Sequence, residues 1–323
     1  MREIVILGAN GFVGHALAAG MLAPGGSTSG LTSGSTGASR VVLGSRKPFD
    51  VSALEVVGGS EARSVIETMP YGRFEDADLD RIARADAVVD LVSPGRARFA
   101  SAFDLLPRIA GHVRLADGLA SRGWGGHLVF LSSGGTIYGD GSPDPIPETA
   151  PRRPMGEYAL EKAVVELHLG TLAARGALRS SVLRVANVYG PGQPARAGFG
   201  VVPAIADALR TGAPFRRYGT GEAVRDYVFV DDVVEAVRAA LRGGTTGTFN
   251  IGSGEGTSIN ALLAMTRELS GRPLAVEGVE NPAGDPEAVV LDCRRAREAM
   301  GWAARVPVRE GLARTLRHHG LAG

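Results

Sequence analysis

The sequence predicts an α/β protein built on a doubly wound parallel sheet, with a smaller, discontinuous lobe towards its C-terminus. Three observations carry that expectation. Short apolar, β-branched runs alternate with amphipathic segments through the first half of the chain. A glycine-rich turn directly follows the first run. After about residue 186 the texture changes, and Gly and Pro crowd residues 190–200. The 323 residues are long for one core and suit two lobes.

The apolar runs are residues 4–7, 41–43, 87–92 and 128–131. Runs this short read as strands buried on both faces. A helical stretch over 100–121 separates the last two, and strand–helix alternation implies parallel pairing. Residues 24–39 are almost all Gly, Ser and Thr and read as a surface insertion. Later come an expected helix over 203–211, a short strand around Phe215 and a helix over 231–242. The lobes then divide as 1–186 with 225–251, and 187–224 with 252–323.

Composition narrows the function classes. Hydrophobic residues make up 44% and charged residues 21%, with a net charge of +1 and no basic block. That balance is ordinary for a soluble protein and argues against a nucleic-acid or membrane-surface binder. No apolar run reaches the roughly 18 residues of a membrane span. The N-terminus enters a strand at once, without a signal-peptide pattern. The single cysteine, Cys293, reads as a small buried hydrophobe, and a reducing cytoplasm is the expected location. The six histidines show no metal-ligand spacing.

Gly8-Ala9-Asn10-Gly11-Phe12-Val13-Gly14 stands between a strand and a helix. The first glycine permits a tight turn, the second admits a pyrophosphate, and the third allows close helix–strand packing. The helix N-terminus offers N–H groups and a positive dipole end. This is the dinucleotide-binding context of a Rossmann-type sheet. At the end of the second strand, where a carboxylate would bind the adenosine ribose, stand Gly44-Ser45-Arg46-Lys47. Ser45 and Arg46 can receive a 2′-phosphate, so NADP(H) is favoured, with NAD(H) possible.

Tyr158 and Lys162 are four residues apart, one helical turn. A lysine so placed can favour the phenolate electrostatically and can hydrogen-bond the nicotinamide ribose. A phenol of this kind exchanges a proton with a sugar hydroxyl or ketone as hydride passes to or from nicotinamide. Three further segments accompany the pair: Leu128 to Gly139 (LVFLSSGGTIYG), Leu183 to Gly192 (LRVANVYGPG) and Arg225 to Asp232 (RDYVFVDD).

With these motifs, in this order, nearly the whole chain resembles the extended short-chain dehydrogenase/reductases, in their nucleotide-sugar epimerase/dehydratase branch. The resemblance implies Tyr158 as the acid/base and Lys162 as the group that tunes it and orients the ribose. It implies Leu91, Val92, Ser93 and Val185 beside the cofactor. Asn187 and Arg225 would meet the substrate diphosphate, and Asp285 the nucleoside ribose. Gly252 and Ser253 would shape the smaller lobe. A homodimer formed through the 100–121 and 158–172 helices is also implied. An ion pair between Arg225 and Asp226 is the purely structural alternative.

The chain departs from its relatives at several points. The usual substrate-aligning hydroxyl falls at Gly134, so Ser133 and Thr136 are expected to supply it jointly, with Gly134 against the substrate. Arg108 replaces an Asn, Pro282 replaces an Arg, and the Asp-Leu expected near residues 65–69 is missing. The favoured activity is reduction of a nucleoside-diphosphate 4-keto-6-deoxyhexose, with Tyr158 as general acid. A 4-epimerase of the UDP-glucose type holding NAD is the first alternative, and a non-catalytic NAD(P) sensor the second. A 4,6-dehydratase would want Asp-Glu where Gly135 and Thr136 stand.

Overall fold

Alternating burial along the first strand sets the architecture. In β1 (Glu3–Leu7), Ile4 and Ile6 join one apolar cluster while Val5 and Leu7 join another. A strand buried on both faces belongs in the middle of a sheet covered by helices on each side. The computed structural model describes residues 3–22, 40–45, 65–70, 72, 74–93, 102–139, 141–142, 144–195, 200–280 and 288–322. Residues 24–39, Arg46, Lys47, Pro282 and Asp285, each of which figured in the sequence reading, lie outside them.

Seven strands form the central sheet: β1, β2 (Arg40–Ser45), β3 (Val65–Pro70), β4 (Ala87–Asp90), β5 (His127–Ser133), β6 (Ser180–Val185) and β10 (Gly247–Ile251). All pair in parallel, in the order β3-β2-β1-β4-β5-β6-β10. The chain runs outward from β1 to β3, then returns to β4 on the other side of β1. That reversal opens a crevice at the carboxyl ends of β1 and β4. Helices α1 (Phe12–Leu22) and α6 (Val230–Gly243) cover one face. Helices α2 (Asp76–Ile82), α3 (Leu106–Ser121) and α4 (Glu157–Ala174) cover the other. Helix α1 lies so close to α6 that a Cβ on Gly20 would sit 2.7 Å from Val234 Cγ1.

The expected strand 87–92 ends early, at Asp90. The Asp90 carboxylate accepts the Val92 N–H at 3.0 Å and turns the backbone. The helix expected from residue 100 opens as a 3₁₀ turn, Ala102–Leu105, before α3.

A second lobe contains β7 (Asn187–Tyr189), β8 (Phe215–Tyr218), β9 (Val224–Phe229), β11 (Gly256–Ser258), β12 (Val276–Val279) and β13 (Ala288–Val289). It also holds helices α5 (Val201–Thr211), α7 (Ile259–Ser270) and α9 (Val308–His318), with α8 (Arg294–Met300) lying against β10. The return of 225–251 to the large sheet is made by α6 and β10 alone. Strand β9 pairs instead with β7, β11 and β13. The reason is its two faces: Tyr227 and Phe229 pack into the apolar cluster of the second lobe, whereas Val228 packs into that of the first. Among the described residues, no helix is long and apolar enough to cross a membrane.

Candidate active site

The turn after β1 is shaped by backbone contacts that leave no room for side chains. Gly8 has φ +82°, and its amide donates to Gly44 O at 3.0 Å. A Cβ there would meet the Leu91 backbone at 3.0 Å. On Gly14, a Cβ would lie 2.4 Å from Gly8 O and 2.8 Å from Ala9 Cα. Helix α1 therefore starts hard against the strand end, with its N-terminal amides facing the crevice. This cradle fits a dinucleotide pyrophosphate.

The cradle opens into a cavity of 450 Å³ lined by residues from both lobes. Of the residues expected from sequence, Gly8, Gly11, Phe12, Val13, Gly14, Leu91, Ser93, Ser133, Tyr158, Asn187 and Arg225 line it. Others stand behind it. Val92 and Val185 turn their side chains into the core. Asn10 is exposed and donates from Nδ2 to Ser45 Oγ at 2.5 Å, and Ser45 is buried.

Strand β5 delivers the hydroxyls. Thr136 Oγ1 donates to Ser133 Oγ at 2.9 Å, so the Ser133 hydrogen is left to point elsewhere, and Ser133 lines the cavity. Gly134 has no space for any side chain: a Cβ would lie 2.5 Å from Leu291 Cδ1 and 2.8 Å from Arg184 O. The floor beneath Ser133 is a buried polar network that sequence reasoning missed. Ser132 Oγ donates to Glu166 at 2.5 Å, and Arg184 grips Glu166 through Nε (3.1 Å) and Nη2 (2.7 Å). Arg184 Nη1 also donates to the Tyr138 hydroxyl at 2.9 Å, which donates to Asn250 Oδ1 at 2.6 Å. Burial pushes the Tyr138 phenol up to about 12, against the pull of Arg184.

Tyr158 lines the cavity, whereas Lys162 is 1% exposed and lies behind it. The Lys162 ammonium sits 4.6 Å from the centre of the Phe130 ring and 5.9 Å from that of Tyr158. Glu161, fully buried, approaches it at 3.8 Å.

At the lobe boundary, Asn187 Nδ2 donates to Asp226 O at 3.0 Å. The Asp226 carboxylate is occupied by Ser253 N and Oγ (both 2.7 Å), Gly254 N (3.1 Å) and Leu291 N (3.2 Å). A Cβ on Gly252 would fall 2.3 Å from Asp226 Oδ2, which explains that glycine. Burial pushes the Asp226 carboxyl above its usual range in spite of these bonds. Asp226 thus anchors the second lobe's loop, and its strand neighbour Arg225 lines the cavity. Cys293, expected to be buried, is half-buried, and burial pushes its thiol up.

The far wall is formed by Tyr189, Gln193, Gly200, Val201, Val202, Pro203, Ala223, Tyr227 and Ile259, none of them expected from sequence. Gly200, at φ +113°, opens α5 and brings its first turn to the cavity. The dense Gly and Pro of residues 190–200 were the one sequence signal for it.

Known proteins show the same organisation. Residues 4–252 match the model of the NAD dependent epimerase/dehydratase family. A UDP-glucose 4-epimerase of Mycolicibacterium smegmatis is 34% identical over 319 residues, spanning 98% of this chain and 97% of the relative. A dTDP-4-dehydro-6-deoxyglucose reductase of Escherichia coli is 32% identical over 192 residues, spanning 59% of this chain and 60% of the relative. The crystal structure of a Thermus thermophilus UDP-glucose 4-epimerase complexed with NAD aligns with a TM-score of 0.80 at 26% identity, covering 99% of both chains. A glycine cradle, a Tyr158-lined cleft and a sequence match through both lobes converge: this chain belongs to the NAD dependent epimerase/dehydratase family of nucleotide-sugar enzymes.

Proposed function

We propose that this protein interconverts the C4 epimers of a nucleoside-diphosphate hexose, holding NAD in the glycine cradle. The observation that carries this reading is that Ser133, Tyr158, Asn187 and Arg225 line the same cavity as Gly8, Gly11 and Gly14. Similarity to a UDP-glucose 4-epimerase through both lobes supports the epimerase over the reductase, whose relative matches three-fifths of the chain. The sequence ranks the two in the opposite order.

The cofactor supplies a hydride acceptor and donor at its nicotinamide ring. Tyr158 takes the proton of the sugar hydroxyl as that carbon is oxidised and returns it on reduction. Ser133 aligns the same oxygen, with Thr136 behind it directing the hydroxyl hydrogen. Arg225 and Asn187 receive the diphosphate, and Asp285 the ribose. Lys162 holds positive charge beneath Tyr158.

Reduction of a 4-keto-6-deoxyhexose is the second reading, favoured by the E. coli reductase relative and by the lack of a carboxylate at Gly44-Ser45. Its NADP(H) preference draws on Ser45, whose hydroxyl already accepts from Asn10. The deciding experiment is to denature the purified protein, identify released dinucleotide by mass, and test consumption of NADH and NADPH with a dTDP-4-keto-6-deoxyhexose. Retained NAD without net consumption fits the epimerase; empty protein that consumes NADPH stoichiometrically overturns it. In either case Tyr158→Phe should abolish turnover and leave cofactor binding unchanged, and full turnover in that variant would remove the mechanism. Homodimerisation is supported by an apolar face on the 3₁₀ turn, α3 and α4, where Phe103, Leu106 and Leu167 are more than half exposed. Sedimentation equilibrium tests it.

A further inference from the structure

Behind Tyr158 lies a cluster of buried charges, of which the steps above use Lys162 alone. Asp90 ends β4, Arg108 and His112 stand one turn apart on α3, and Glu161 and Lys162 are neighbours on α4. His112 Nδ1 lies 2.6 Å from Asp90 Oδ2, and its Nε2 lies 3.7 Å from Glu161 Oε1. Glu161 also stands 3.3 Å from Arg108 Nε and 3.8 Å from Lys162 Nζ. Asp90, His112, Glu161 and Lys162 are each at most 5% exposed.

Both ring nitrogens of His112 face carboxylates. Only the doubly protonated imidazolium presents a donor to each. The charged groups facing it, among the described residues, are Asp90 from β4, Glu161 and Lys162 from α4, and Arg108 on its own helix; Phe130 of β5 packs against it in a T-shaped arrangement, with the ring centroids 5.3 Å apart. Burial alone would push Asp90 and Glu161 up and His112 down. Their mutual attraction more than reverses this, leaving both carboxyls below the usual range and the imidazole above it.

We propose that His112 is a positioning residue for Lys162: as an imidazolium bridging Asp90 and Glu161, it engages the carboxylate that would otherwise close on the Lys162 ammonium, and so keeps the ammonium available to the cofactor. Loss of the His112 proton removes one of the three cations around Glu161. The carboxylate then draws Lys162 towards itself and away from the nicotinamide ribose. This rests on the reading that Lys162 meets the cofactor.

The test needs no sugar. NADH binding is followed by nicotinamide fluorescence from pH 6 to 9, a range in which NADH carries no titrating phosphate. The wild-type Kd should weaken about tenfold as pH rises, equivalent to one pKa unit of coupling. His112→Gln should be flat at the weak level and Glu161→Gln flat at the tight level. Lys162→Met should be weak and flat, because the effect runs through the ammonium. A flat wild-type profile, or an inflection kept in any of the three variants, overturns the proposal. Wild-type-like affinity of Lys162→Met at every pH would instead remove the role of Lys162 itself, and the proposal with it. Should the substitutions unfold the chain, imidazole ¹⁵N shifts of the wild-type protein carry the test. His112 must hold both protons at pH 6, and a neutral tautomer there overturns the idea.

Discussion

Replacing Gly14 by Ala should separate cofactor binding from folding. The added methyl carbon would lie 2.4 Å from Gly8 O, 2.8 Å from Ala9 Cα and 2.9 Å from Ala9 O, all backbone. Carbon contacts settle near 3.5–4.0 Å, so the first turn of α1 must retreat by about 1 Å. The retreat withdraws the N–H groups that face the pyrophosphate site. Overpacking of this kind costs about 1–3 kcal/mol. Carried by the cofactor-bound form, that cost lowers dinucleotide affinity by about 5–150-fold. Two glycines near it serve as controls. A methyl on Gly11 meets Gly8 O at 3.2 Å and should weaken binding less. A methyl on Gly20 meets only the Val234 side chain, so Gly20→Ala should lower the melting temperature and leave affinity alone. Fluorescence titration with NADH and thermal melts on the three variants give the order. If Gly14→Ala binds NADH like the wild type, the cradle argument is wrong.

Two further predictions concern stability. Arg184→Met leaves the Glu166 carboxylate, whose side chain is 2% exposed, with Ser132 and the more distant Arg152 at 3.5 Å, and should cost about 3–5 kcal/mol in urea unfolding; a cost under about 1 kcal/mol would mean that Ser132 and Arg152 satisfy Glu166 between them. His127 is held down to about 4 by burial and then by Arg179, so it is neutral when folded and titrates near 6.5 when unfolded. The unfolded chain therefore binds the extra proton between these values. Stability falls as pH drops below about 6.5, and the loss, on the order of 3 kcal/mol, is complete below about 4. His127→Gln should abolish that component of the pH dependence measured by denaturant melts, and an unchanged profile would assign it elsewhere.

How much was legible in the sequence depended on whether a feature was local. Gly8, Gly11 and Gly14 are near neighbours between a strand and a helix, and Tyr158 and Lys162 share a helix face, so local spacing together with the accompanying motifs revealed them. The apolar runs likewise gave the central strands. The end of β4 was not legible, because the apolar pattern continues past Asp90 through Leu91 and Val92, and only the structure shows the Asp90 carboxylate taking the Val92 amide. The sheet that β9 joins was not legible for a related reason: Val228 suits one core and Tyr227 and Phe229 another. The Arg184–Glu166 and His112–Asp90–Glu161 networks join residues from separate elements, and no periodicity connects them. Arg108 stood out as a departure, but its partner Glu161 became visible only when α3 and α4 were packed together.

The substrate-aligning hydroxyl shows how such a departure can be tested. Returning the relatives' hydroxyl with Gly134→Ser places a Cβ 2.5 Å from Leu291 Cδ1, which can rotate, and 2.8 Å from Arg184 O, which cannot. That carbonyl belongs to β6, where the Arg184 side chain is locked by Glu166 and Tyr138, so the strand resists the shift. Gly134→Ser should therefore destabilise the protein by about 1–3 kcal/mol and add nothing to turnover. Ser133, one residue earlier, already faces the cavity with Thr136 donating to it. Ser133→Ala should cost about 10²-fold in kcat, the scale of losing one aligned donor, with little change in cofactor affinity. Thr136→Ala should cost less, because it removes only the group that orients Ser133. Gain of turnover in Gly134→Ser, or full turnover in Ser133→Ala, would refute the assignment and return the aligning role to another donor in the cleft.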